Sequence, residues 1–191
     1  MRWWVFAIVA YVLLGIEVSL ADLMAIESKF GPVQPRFVLL LAVFVGLAAA
    51  PRVVMIASLA LGILVDLTTT WPLADGGALT LIGPCALGYV IGGYVLLQVR
   101  SMVFRQHPLT VGSMMLVAGV AIELIVVAVF TIRAWYEPVA GWSSTHELVL
   151  RSLSLFYSAV IGTMLAVPLC ALTPVFGFPS LKQTGQRGRR W

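Results

Sequence analysis

Polar positions along this chain are rare, and where they fall divides it into six apolar runs. The first extends from Trp3 to about Met24, the second from Phe37 to near Ala50, and the third from Val53 to about Thr69. The fourth starts after Asp75-Gly76-Gly77 and reaches about Val99, the fifth runs from Leu109 to Ile132, and the sixth from about Leu153 to Leu172. About 20 apolar residues cross a hydrocarbon core of about 30 Å as a helix. The runs are continuous rather than alternating, which argues against a membrane β-barrel. The second run is short and spans only if Val33 to Arg36 joins it or the bilayer thins locally. Asp75 fits an N-cap for the fourth helix, and Pro84 is expected to kink it. Arg2 and Ser19-Leu20-Ala21 could also mark the first run as a cleaved signal peptide. Glu17 inside the run, and the run's length, favour an uncleaved span.

Composition agrees with this pattern. Of the 191 residues, 61% are hydrophobic and 10% charged, against about 45–50% and about 25% in soluble domains. That excludes a soluble enzyme, a disordered chain and a coiled coil. The expected fold is all-α, a polytopic bundle of six transmembrane helices over residues 1–176, followed by a basic tail over residues 177–191. The net charge of +4 reads as membrane orientation rather than nucleic-acid binding. With both termini cytoplasmic, eight basic residues lie inside (Arg2, Arg52, Arg100, Arg105, Lys182, Arg187, Arg189, Arg190) and four outside (Lys29, Arg36, Arg133, Arg151). That is the direction the positive-inside rule requires. Trp135, Tyr136 and Trp142, in the long outer loop from Arg133 to Arg151, read as interfacial aromatics.

Three acids lie inside the spans: Glu17, Asp66 and Glu123. Each sits about 20–22 Å above the cytoplasmic end at 1.5 Å per residue, with no Lys or Arg expected at that level inside a span. Intramembrane acids suggest a site for a proton, cation or polar ligand. The plainer reading is that they hydrogen-bond neighbouring helices and fix their packing, and the lack of a basic or His partner favours it. Ser58, Gly62 and Asp66 follow i, i+4, i+8 and share one helical face. Gly88-x-x-x-Gly92, followed by Gly93, is a second close-approach surface. Joining these two faces is the economical way to pack the third and fourth spans. Cys85 and Cys170 read as small buried hydrophobes. No phosphate-binding loop, nucleophile elbow or His-Glu-x-x-His motif is present. His107 and His146 are isolated loop histidines, and no catalytic group, cofactor or metal site is expected.

Pro35-Arg36-Phe37-Val38-Leu39-Leu40 opens the second run, Ala49-x-Pro51-Arg52-Val53 makes a short turn, and Gly62-Ile63-Leu64-Val65-Asp66-Leu67 has a Gly-x-x-x-Asp-Leu pattern. In that order they resemble the second-span opening, the short cytoplasmic turn and the Gly-x-x-x-Asp-Leu signature of the rod shape-determining protein MreD family. Leu73 with Gly76 or Gly77, Ile122-Glu123-Leu124-Ile125, Gly162 and Pro168 follow in the family's order. The turn after Asp66, filled by Thr68-Thr69-Thr70-Trp71-Pro72, is longer than usual, and Glu17 has no family counterpart. The resemblance implies a non-enzymatic scaffold of the bacterial inner membrane. It would act with the bitopic MreC, with MreB, with RodA and with a class B penicillin-binding protein in lateral peptidoglycan synthesis. It also implies a fold similar to the substrate-binding subunits of energy-coupling-factor vitamin transporters, which supplies the alternative: a small-molecule binding subunit of a transporter. That alternative predicts an outer-side cavity with convergent polar groups; the scaffold predicts no sealed pocket.

Overall fold

The computed structural model describes residues 2–21, 23–72, 78–101, 108–133, 135, 143–171 and 176–177. Six helices fill them: α1 (Trp3–Ser19), α2 (Phe37–Ala48), α3 (Pro51–Thr68), α4 (Pro84–Val99), α5 (Pro108–Arg133) and α6 (Ser144–Ala171). Within these, Pro51–Thr68, Leu109–Arg133 and Ser144–Val167 are long and apolar enough to cross a membrane. α1, α2 and α4 are shorter apolar helices. α1, α3 and α5 finish at one end of the bundle, here the upper end, where α2, α4 and α6 begin. At the lower end the Arg2 amide donates to the Phe176 carbonyl at 3.0 Å, so the start of α1 and the chain beyond α6 meet on the same side.

α2 is the centre of the bundle. It touches each of the other five helices, and every residue from Phe37 to Leu47 is buried. A 12-residue helix is about 18 Å long at 1.5 Å per residue, well short of a bilayer core. It is not extended at its start, because Arg36 is extended, with φ −115° and ψ 96°. Both of its ends are held by other helices. At the upper end Glu17 of α1 accepts the Val38 amide at 2.8 Å. At the lower end Arg100 donates to the Ala49 carbonyl at 2.7 Å and the Gly46 carbonyl at 3.3 Å. A carboxylate at the N-terminus and a guanidinium at the C-terminus each satisfy groups the helix leaves open and oppose its dipole.

Two hairpins at the upper end depart from the expected runs. β1 (Ile26–Ser28) pairs antiparallel with β2 (Gly31–Val33). The Ser28 hydroxyl donates to the Gly31 carbonyl at 2.8 Å, and Gly31 takes a φ of 117° that favours glycine. The first run therefore leaves its helix at Ser19 rather than near Met24. β3 (Trp71–Pro72) pairs with β4 (Ala78–Leu79), so the fourth helix begins later than expected. Pro84 occupies its first turn, where a missing N–H costs nothing; it starts α4 and does not kink it. Asp75, with Gly76 and Gly77, lies outside the described residues.

α6 begins at Ser144, nine positions before the expected Leu153. Its polar first turns are held by an i, i+4 pair, Arg151 Nε to Glu147 Oε2 at 3.2 Å. Arg151 is therefore a buried helical residue, 8% exposed, and not part of an outer loop. Trp135 is exposed; Tyr136 and Trp142 lie outside the described residues. So do His107, the Cys170 side chain and the tail beyond Gly177. Cys85 is buried, as expected.

Candidate functional site

Asp66 meets the start of α4. Its Oδ2 accepts the Gly83 amide at 2.8 Å and the Ala86 amide at 3.0 Å, and Oδ1 accepts the Cys85 amide at 2.9 Å. The chain makes this possible by removing side-chain bulk one turn below. A Cβ on Gly62 would lie 2.5 Å from Ala86 Cα and 2.8 Å from the Cys85 carbonyl oxygen. Because these are backbone atoms, no rotamer change relieves the clash. Ser58 continues the same face against Gly93, where a Cβ would fall 2.5 Å from the Ser58 hydroxyl. Ser58, Gly62 and Asp66 thus form one seam, as their spacing predicted.

Their partner surface differs from the expected one. Gly88 and Gly92 face α5 instead: a Cβ on either would crowd Ile122, with the Ala118 carbonyl also near Gly92. The α3 seam uses Cys85, Ala86 and Gly93. A helix with glycines at 88, 92 and 93 presents small surfaces in two directions, and α4 packs on both α3 and α5.

Asp66→Asn tests the cap. An amide replaces one acceptor oxygen with a donor, which then faces a backbone N–H that cannot be turned away. We expect a loss of about 1–3 kcal/mol in denaturant unfolding of the purified protein, with Asp66→Ala losing at least as much.

Glu17 and Glu123 belong to a second cluster. Glu123 is 4% exposed and forms ion pairs with two guanidiniums. Arg36 Nη1 donates to Oε1, and Arg151 Nη1 donates to Oε2 at 2.8 Å. Glu17 lies close enough to Arg36 for electrostatic attraction. The Arg36 amide donates to the Ser158 hydroxyl at 2.8 Å, which fixes the segment leading into α2. Glu17 and Glu123 therefore do have basic partners, contrary to the expectation from sequence, while Asp66 is held by backbone amides. Arg36 and Arg151 were placed outside the bilayer by position in the chain; the fold draws both into the bundle, because α2 stops short and α6 starts early.

Glu17, Arg36 and Arg151 of this cluster border a cavity of about 270 Å³ at the upper end. Glu17, Arg36, Tyr89, Glu147 and Arg151 supply its charged and hydroxyl groups; Gln34, Thr69, Cys85 and Ser154 also line it. Its place follows from the fold, since it occupies depth that α2 leaves unfilled. Pro32 and Pro35, on the segment descending from β2, complete the wall. Sequence reasoning missed Arg36, Arg151, Glu147, Gln34 and Tyr89. One signal was available for two of them: Ser144-Thr145-His146-Glu147 has capping-box spacing and places Arg151 four residues beyond Glu147 on one face. Among the described residues, no group of three or more His, Cys, Asp or Glu side chains could hold a metal ion.

No protein-family model, no curated protein and no solved structure matches this chain.

Proposed function

We propose that this chain is a non-enzymatic scaffold of the bacterial inner membrane, of the kind the MreD family provides to the cell-elongation machinery. Six helices cross the bilayer with both termini cytoplasmic, and an MreC-like bitopic protein is its direct partner. MreB, RodA and a class B penicillin-binding protein belong to the wider assembly.

The observation that carries this reading is the use of Gly62 and Asp66. The Gly-x-x-x-Asp-Leu segment, one of those that resemble the family, forms the seam between α3 and α4, with the carboxylate accepting from three backbone amides. Three of the carboxylate's about four acceptor sites are held by the start of one helix, which suits a protein whose role is to hold a shape. The charge pattern agrees. With Arg36 and Arg151 inside the bundle, only Lys29 and Arg133 remain as outer basic residues against the eight assigned to the cytoplasmic side, a sharper bias in the same direction.

Removing the gene from its host tests the proposal. Rod-shaped cells should round up, and re-expression of the chain should restore them; unchanged rods would refute it. Deleting Gln183 to Trp191 should leave that rescue intact, because basic residues beside an anionic leaflet add only about 1 kcal/mol each of surface attraction.

The cavity favours a second reading, a vitamin-binding subunit of a transporter. At about 270 Å³ it lies just below the range of about 300–1,000 Å³ usual for ligand pockets. Proton-coupled or ligand-coupled uptake lost in Glu17→Gln would support that reading over the scaffold.

A further inference from the structure

We infer that the upper-end cavity binds a small zwitterion of amino-acid or dipeptide size, through Arg36 and the Tyr89 hydroxyl at its anionic end and Glu17 and Glu147 at its cationic end. The inference goes beyond the scaffold reading and does not require transport.

Tyr89 gives the first indication. Its side chain is buried, at 4% exposure, and it borders the cavity. Its hydroxyl makes no hydrogen bond to any described residue and is not a sealed orphan: it reaches the open space of the cavity. Arg36 gives the second. A guanidinium carries five N–H donors; among the described residues Arg36 uses one of them, toward Glu123. Its side chain retains 28% exposure, at a position where the cavity is the open space. Unused guanidinium donors beside an unpartnered hydroxyl suit a carboxylate.

The charge balance selects a zwitterion over a simple anion. Among the described residues, Arg36, Arg151, Glu17 and Glu147 at the cavity and Glu123 behind its wall form a network of three carboxylates and two guanidiniums. A simple anion would deepen that excess in a poorly hydrated site, where unpaired charge is costly. A ligand carrying its own ammonium leaves the sum unchanged and places that group near Glu17 and Glu147. Size sets the rest. At roughly 30 Å³ per water, 270 Å³ holds about nine waters, room for an amino acid or a dipeptide.

The test is isothermal titration of the full-length protein in lipid nanodiscs with L-alanine, L-alanyl-L-alanine, the N-acetylated dipeptide and the dipeptide amide. We expect L-alanine or the dipeptide to bind, and either blocked form to bind at least about tenfold more weakly, the scale of one hydrogen bond to a charged group. Tyr89→Phe, which removes only the hydroxyl, should weaken binding about fivefold to tenfold while its unfolding curve matches wild type. Arg36→Lys, which keeps the charge but loses the fork, should also weaken it. Met164→Ala, on an exposed face of α6, should bind as wild type. Absence of binding by both zwitterions to the folded protein would overturn the inference, as would equal binding of the blocked forms or unaltered affinity in Tyr89→Phe. None of these results bears on cell rounding, so this inference and the scaffold reading fail separately.

Discussion

Gly62→Leu should leave no stably folded protein. Even a Cβ at this position would stand 2.5 Å from the Ala86 Cα, and leucine adds three more carbons in the same direction. Ordinary overpacking costs about 1–3 kcal/mol because neighbouring side chains shift. Here the neighbour is the first turn of α4, so the helices must separate. Separation also removes Asp66 from three backbone amides, each worth about 1–3 kcal/mol when left buried without a partner. Together these reach the size of a typical total stability of about 5–15 kcal/mol. The measurement is size-exclusion behaviour and denaturant unfolding of Gly62→Leu beside Gly15→Leu. A Cβ at Gly15 meets nothing within 4 Å, so the second variant should behave as wild type. A monodisperse, stable Gly62→Leu protein would show that α3 and α4 are not in contact as described.

Glu123→Leu should be the most damaging charge change. From the sequence alone, with no basic residue expected at its level, this substitution reads as mild. The structure reverses that expectation. Glu123 is the shared counter-ion of Arg36 and Arg151, and Arg151 is itself 8% exposed. Removing one partner of a buried ion pair costs about 3–5 kcal/mol, since the remaining charge is left uncompensated. Glu123→Gln keeps an acceptor oxygen and should fall between wild type and Glu123→Leu. Glu147→Gln, at the more exposed end of the network, should cost less than about 1 kcal/mol. Unfolding midpoints of the three variants in one detergent check the order. Equal stability of Glu123→Leu and wild type would contradict the ion-pair assignment.

Helix number and type were legible because apolar runs this long have few alternatives. So was the face of Ser58, Gly62 and Asp66, since helical periodicity fixes which residues align. Its partner was not. Gly88, Gly92 and Gly93 permit close approach on two sides of α4, and periodicity within one helix does not say which neighbour takes which side. The ionic cluster was illegible for a different reason. Arg36 and Arg151 were assigned to the outer side because they stand just before the second and sixth apolar runs, whereas burial of a charge depends on where its counter-charge lies in space. Glu123 is separated from Arg36 by 87 positions and from Arg151 by 28. The short hairpins escaped notice because two or three paired residues leave no alternating pattern to detect.

The scaffold and transporter readings part most clearly in what the chain carries with it out of its own membrane. The direct measurement is affinity purification of the tagged full-length protein from its host in mild detergent, with stoichiometry of the co-purifying chains. The scaffold account predicts a near-stoichiometric protein with one membrane span and a β-rich outer domain, retained when Glu17 is changed to Gln. Stoichiometric recovery of cytoplasmic ATPase subunits in its place would contradict that account.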